Sequence, residues 1–332
     1  MKTSPVLLST WSFAQRANDA AWPTLARQAS ALDAVEAVCR HVEEDPTVDS
    51  VGYGGLPDHQ GRMTLDASIM LSPSRSGAVC AMSNYLPVIS VARAVMEHTR
   101  HALLAGSGAE EFASAHGFDA RDLLSPAALK RWQAKRTERG LPSAPPERSA
   151  EGGHDYEWPD AIPATDPSGD EALIEPEGHD TVGSLALDAH GVVAGACSTS
   201  GLAFKRPGRV GDSPIIGQGL FVEPGIGGAV VTGLGELATG VCAAHVAIES
   251  LRNGDEPKRA AVAPLERIVE HFDLHPQHQL AVLVLAADGG WSAASLRPGY
   301  VTSVRTAAGS RVVRPETILF DTPGSENEEP DA

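Results

Sequence analysis

Apolar residues recur along this chain in two rhythms, which divide it into elements before any chemistry is considered. Short apolar runs bounded by turn residues predict strands at 6–10, 63–70 and 77–82, the last two around Ser72-Pro73-Ser74. Helical spacing predicts helices at 18–29, 30–42, 90–99, 109–116 and 126–139. In the second of these Leu32, Val35, Val38 and Val42 share one face, and Ser30 with Asp33 makes a capping-box-like start. Gly117 and Gly140 are placed to end two others. Further on, strand 181–187 turns through Asp188-Ala189-His190-Gly191 into 192–199, and 280–286 turns through Asp288-Gly289-Gly290 into 291–296. Helices at 236–250 and 257–272 lie between these two hairpins. Strand pairs alternating with helix pairs predict an α+β fold of stacked sheets flanked by helices, without an internal repeat.

Residues 142–178 interrupt the pattern. This stretch carries seven prolines and ten acids against one base, so it cannot build a core and is expected to be disordered. The tail 321–332 is expected to be disordered too. These two acidic regions change the meaning of the net charge of −17 over 332 residues, because they hold most of it. The remainder, one domain of 1–141 and 181–320, is close to neutral and offers no field for nucleic acid. Cys39, Cys80, Cys197 and Cys242 sit in apolar runs without metal-ligand spacing, which predicts four reduced core thiols. Asp58, His59 and Asp66 read as solvated turn residues rather than metal ligands. No apolar run reaches the ~20 residues of a membrane span, and the short run at 5–8 is a first strand rather than a leader. A cytoplasmic location is therefore expected.

Two places carry candidate chemistry. At His179-Asp180-Thr181 a polar linker meets a buried strand at a hydroxyl residue, where a self-cleaving hydrolase would cut. A Thr whose nitrogen is freed by scission holds nucleophile and base in one residue, since its α-amine can deprotonate its own Oγ. The second place is the Gly- and Pro-dense stretch 201–217. It sets Arg209 and Asp212 at a fixed separation, and an Arg fork with a nearby Asp would grip the carboxylate and ammonium of an amino acid. A structural ion pair in a turn is the plainer alternative.

With those segments in view, the chain resembles the glycosylasparaginase (aspartylglucosaminidase) family of N-terminal-nucleophile hydrolases. The resemblance rests on Leu8-Ser9-Thr10-Trp11, Asp49-Ser50-Val51-Gly52-Tyr53-Gly54-Gly55, residues 89–97, His179-Asp180-Thr181, the Arg209 loop and Thr232-Gly233. It implies a four-layer αββα sandwich, cut between Asp180 and Thr181 into fragments 1–180 and 181–332 that pair as a dimer of heterodimers. It also implies that Thr181 attacks the β-amide of a glycosylated asparagine, with Thr199 hydrogen-bonded beside it. By the same resemblance Arg209 and Asp212 bind the substrate's α-groups, and Thr232 and Gly233 form the oxyanion hole. Trp11 then walls the pocket and Ser50 sits near the nucleophile's amine, while His179 either helps to position the scissile bond or merely ends the linker. The chemistry needs no metal or organic cofactor. Leu234, between Gly233 and Gly235, departs from the polar or basic residue anticipated there, which bears on the sugar side. A plant-type asparaginase or isoaspartyl peptidase is the nearest rival, although that branch carries Gly directly before the Thr. A non-catalytic amino-acid-binding paralogue is the alternative of another class.

Overall fold

The computed structural model describes residues 4–27, 30–138 and 181–321. The linker 142–178, residues His179 and Asp180, and the tail 322–332 lie outside the described residues, and with them the expectations placed there.

Two sheets form the centre. The larger runs in the order β12 (Gly309–Val313), β11 (Thr302–Thr306), β1 (Val6–Thr10), β5 (Val182–Leu187), β6 (Val193–Thr199), β2 (Leu65–Ser72), β3 (Arg75–Met82) and β4 (Leu103–Ala105). The smaller runs β13 (Thr317–Ile318), β10 (Trp291–Ser295), β9 (Leu280–Ala286), β8 (Gly227–Gly233) and β7 (Leu220–Glu223). Helices α1 (Ala14–Ala26), α2 (Ala31–Glu44) and α3 (Val88–His98) contact strands of the larger sheet. Helix α4 (Gly106–Ala115) contacts β3 and β4, and α5 (Pro126–Glu138) closes the first described half. Helices α7 (Ala243–Arg252) and α8 (Pro257–His271) contact the smaller sheet, with α6 (Gly235–Val241) packed on both of them.

Strand alternation explains why both faces of each sheet are dry. In β9, Leu280, Val282 and Val284 join the cluster of α6–α8, whereas Ala281, Leu283 and Leu285 face the other way into a cluster with Leu8, Leu185 and Val230. In β1, Leu7 joins the cluster of α1–α3 while Val6 and Leu8 join the one between the sheets. Side chains two apart share a face, so burial on both faces makes β9 apolar throughout and β1 and β5 largely so, their buried Ser9, Thr10 and Ser184 being hydrogen-bonded.

Several expectations meet corrections here. The helix predicted at 236–250 is two helices, because Cys242 adopts φ 55° and ψ 54° and breaks the ladder between α6 and α7. Cys242 is exposed, unlike the buried Cys39, Cys80 and Cys197, so it is not a core thiol. Asp58 and Asp66 are buried rather than solvated. Asp58 Oδ1 accepts the Gln60 and Arg62 N–H groups, and Asp66 Oδ1 accepts the Ala81 N–H. The hairpin β7–β8 and strands β11 and β12 were not foreseen. Ser30 does cap α2, its Oγ accepting the Asp33 N–H at 3.2 Å.

Candidate active site

Thr181 stands at the head of β5, near one end of the larger sheet, and is 3% exposed. Its backbone is held by Thr10 at the end of neighbouring β1. The Thr10 Oγ1 donates to the Thr181 carbonyl at 2.5 Å and accepts the Gly183 N–H at 2.9 Å, so one hydroxyl continues the β1–β5 pairing past its last ladder pair, Ser9 with Ser184.

The two reactive atoms of Thr181 each have a hydroxyl partner. Its nitrogen donates to Thr232 Oγ1 at 3.0 Å, and its Oγ1 lies 2.9 Å from Ser213 Oγ. Thr232, in β8 of the other sheet, also accepts the indole N–H of Trp11 at 2.9 Å. A hydroxyl has two lone pairs and one proton. Both lone pairs of Thr232 are thus engaged by N–H donors, and its proton is left to point elsewhere. Trp11 itself is fixed at φ 64° by the Val301 carbonyl, by Ser303 Oγ and by an edge-on contact with Tyr300.

Beside these hydroxyls lies a charged group of a different character. Asp212 directly precedes Ser213 and is 3% exposed, and its Oδ2 has no hydrogen-bond partner among the described residues. Burial pushes its carboxyl up to about 7, with the Arg209 charge acting in the opposite direction. Leaving such an oxygen unmatched costs about 1–3 kcal/mol, which is reason to look for a cationic ligand there. Arg209 points its Nε and one terminal nitrogen at Glu236, at 3.0 and 2.9 Å. Burial alone would raise the Glu236 carboxyl, but the hydrogen bonds and charge of Arg209 outweigh it and leave it lowered. Glycines border the rest of the guanidinium: a Cβ built on Gly211 would stand 2.9 Å from Arg209 Nη1. A Cβ built on Gly235 would stand 2.8 Å from Asp212 Oδ1 and 3.0 Å from Arg209 Nη2. Any other residue at 235 would fill the space between the two charges.

The arrangement places the hydroxyls of Thr181, Thr232 and Ser213 and the charged side chains of Asp212 and Arg209 along one path, from the head of β5 to the start of α6. Comparison with known proteins agrees in kind. The family model described as Asparaginase matches residues 6–313. The chain belongs to the asparaginase family. Its relatives include the N(4)-(Beta-N-acetylglucosaminyl)-L-asparaginase of Elizabethkingia miricola, 40% identical over 95% of this chain and 85% of that protein. The proteins of the same name from Rattus norvegicus and Mus musculus are 37% and 35% identical, over 88% and 87% of this chain and 84% of each relative.

Within this asparaginase-family chain the structure brings Thr181, Thr232 and Trp11 together, and Gly233 follows Thr232 with φ 119°. A Cβ there would meet the Gln279 carbonyl at 2.4 Å. Thr199 stands differently from the expectation. The β5–β6 register pairs Val182 with Ser198, so one step further sets Thr199 opposite Thr181, but the Thr199 hydroxyl accepts the Gly201 N–H at 2.9 Å. The hydroxyl bonded to Thr181 Oγ1 is that of Ser213. Ser50 is 1% exposed, and its carbonyl takes both the N–H and the hydroxyl of Ser200, so it braces the turn after β6. Leu234 is 8% exposed and belongs to the apolar cluster of α6–α8. Three residues escaped the sequence reading. Thr10 was quoted in a motif without a role, Ser213 lay unmarked beside Asp212, and nothing in the sequence links Glu236 to an arginine 27 positions earlier.

Proposed function

We propose that this protein is an N4-(β-N-acetylglucosaminyl)-L-asparaginase that activates itself by cutting between Asp180 and Thr181. One observation carries the reading. A Thr at the head of a buried strand has its nitrogen on Thr232 and its Oγ on Ser213, and the residue next to Ser213 is a buried carboxylate with an unmatched oxygen. Family membership and the names of the relatives support it.

In the cleaved enzyme the freed α-amine of Thr181 takes the Oγ proton as Oγ bonds to the β-amide carbon of the substrate. The carbonyl oxygen becomes an oxyanion, and the Thr232 hydroxyl proton, its own lone pairs being occupied, is available to it. A donor so placed is worth about 3 kcal/mol of barrier. Collapse breaks the C–N bond, the Thr181 ammonium returns its proton to the leaving glucosylamine, and a β-aspartyl ester remains. Water, deprotonated by the same amine, adds to the ester; collapse breaks the C–Oγ bond as the ammonium returns its proton to Thr181 Oγ, and aspartate is released. Asp212 Oδ2 holds the substrate ammonium, and the free edge of Arg209 holds its α-carboxylate. The two sheets with their helix layers form the αββα sandwich of N-terminal-nucleophile hydrolases in this reading, and cleaved chains pair as dimers of heterodimers.

Arg209 and Asp212 read only the aspartyl half, so free asparagine and β-aspartyl peptides fit them as well as the glycosylated form does. The test combines mass and N-terminal sequencing of the purified protein with rates on matched substrates. Fragments 1–180 and 181–332, faster turnover of N-acetylglucosaminyl-asparagine than of asparagine, and loss of both scission and turnover in Thr181→Ala are the expected results. An intact chain with full activity would refute the mechanism, and faster turnover of asparagine would move the protein to the plant-type branch.

A further inference from the structure

We infer that Ser213 is a positioning residue for the nucleophile: its hydroxyl donates to Thr181 Oγ1 and aims that oxygen in both self-cleavage and turnover. The inference rests on the proposed role of Thr181 and adds a residue to that site.

The geometry is specific. Ser213 Oγ is 2.9 Å from Thr181 Oγ1, and both residues are almost wholly buried, at 1% and 3% exposure. Thr199, which register sets opposite Thr181, has its hydroxyl turned to the Gly201 N–H instead. The direction of the bond follows from the chemistry. For the α-amine to act as base it must receive the Thr181 Oγ proton, so that proton cannot serve Ser213. Ser213 must then donate, engaging one lone pair of Oγ and leaving the other for attack.

Ser213 is also braced well enough to aim a neighbour. Its carbonyl accepts the buried Ser68 hydroxyl of β2 at 2.6 Å. Pro214 follows it, which confines a preceding residue to extended backbone. On another side Gly219 approaches so closely that a Cβ there would sit 2.7 Å from the Ser213 Cα. A hydroxyl on such a support gives Oγ one orientation rather than three rotamers. Because Asp212 and Ser213 are consecutive, the residue proposed to hold the substrate's ammonium and the residue that aims the nucleophile move as one unit.

The experiment is steady-state kinetics of Ser213→Ala on N-acetylglucosaminyl-asparagine. Rates are normalised to the cleaved fraction seen by denaturing electrophoresis, and the rate of scission is followed in parallel. The expected result is a fall in kcat of about 10-fold, the scale of one net hydrogen bond, with KM within twofold of wild type and scission slowed alongside. Complete failure to cleave in a protein with the wild-type melting temperature supports the inference equally, because the same Oγ performs scission. A raised KM with unchanged kcat overturns it, since Ser213 would then only shape the Asp212 turn. Wild-type values of both overturn it as well. If the alanine variant does not fold, Ser213→Cys, nearly isosteric with a weak donor, is judged by the same criteria. Thr181→Ala separates the two levels of argument. Activity surviving in it removes the nucleophile reading itself, whereas a dead Thr181→Ala beside a fully active Ser213→Ala removes only the role of Ser213.

Discussion

The two halves of the site are built on opposite principles. Around Thr181 the groups are neutral and buried, and they are matched to one another: Thr181 to Thr232 and Ser213, Trp11 to Thr232, Thr10 to Thr181 and Gly183. Around Arg209 the groups are charged, Glu236 has an exposed side chain, and one oxygen of Asp212 has no hydrogen-bond partner among the described residues. The first half is complete without a substrate. The second, among the described residues, leaves Asp212 Oδ2 and Arg209 Nη1 without hydrogen-bond partners. Catalytic groups gain from being fixed before the reaction, and recognition groups gain from having their partner supplied by the ligand. Under the proposed function, the contrast corresponds to chemistry at the strand ends and selection in the loop before α6.

Asp212 gives the sharpest means of breaking that division. If its orphaned oxygen awaits an ammonium, Asp212→Asn should lower kcat/KM on substrates with a free α-amine by about a hundredfold or more, the range for removing one member of a buried charge pair. Substrates acetylated on that amine should start poor and change little. The pH profile follows from the same group. With its carboxyl pushed up to about 7 in the free enzyme, Asp212 takes a proton as pH falls through that value and loses its charge. The Thr181 amine protonates on the acid side as well. Log kcat/KM should therefore fall toward a slope of two, whereas log kcat should show a slope of one because bound ammonium keeps Asp212 ionised. Parallel slopes of one in both, together with a mild effect of Asp212→Asn, would mean that the recognition half lies elsewhere.

Glu236 tests the other charge with a smaller effect. Its pair with Arg209 is partly solvated, so its direct energy is small, about 0–1 kcal/mol. Its value lies in fixing the guanidinium through Nε and Nη2, so that under the proposed function Nη1 is left for the substrate carboxylate. Glu236→Gln should raise KM about threefold to fivefold, the scale of that pair energy, with kcat unchanged. A lower KM would show that the Glu236 carboxylate competes with the substrate's own.

How far the sequence revealed these halves depended on what kind of order each has. Strands β1 and β9 were legible to the residue, at 6–10 and 280–286, because burial on both faces gives β9 an unbroken apolar run and β1 an apolar run closed by two hydroxyl residues. The β7–β8 hairpin was not, since its turn and first strand residues, Gly225-Ile226-Gly227-Gly228, read as loop and become strand only by pairing with β9. The break at Cys242 is a single left-handed residue inside an otherwise helical period, and periodicity averages over it. In the site, Thr181, Arg209, Asp212 and Thr232 stood in long motifs that a family resemblance could pick out. Ser213 and Glu236 act through one tertiary contact each, and a lone hydroxyl or carboxylate has no pattern of its own.

The last prediction concerns whether an orphaned oxygen means a ligand at all. Glu43 shares the signs seen at Asp212: its Oε2 has no partner among the described residues, and burial pushes its carboxyl up to about 8 despite the hydrogen bonds from Ser198 and Ile89. Its place is different, since it is wholly buried between α2, β6 and the start of α3. There the unmatched oxygen is best explained by a proton. The folded state binds that proton up to about pH 8, whereas an ordinary Glu releases it near 4.5. Between those values the native state holds more protons than the unfolded one, so stability contributed by this group declines as pH rises through the window. Glu43→Gln, which mimics the protonated form, should leave the melting temperature near pH 5 almost unchanged. At pH 8 to 9 it should raise it by a few degrees, with kcat/KM and its acid limb as in wild type. If instead Glu43→Gln moved the acid limb of kcat/KM, its carboxyl would be coupled to the site, and the distinction between a sealed oxygen and one kept open for substrate would fail.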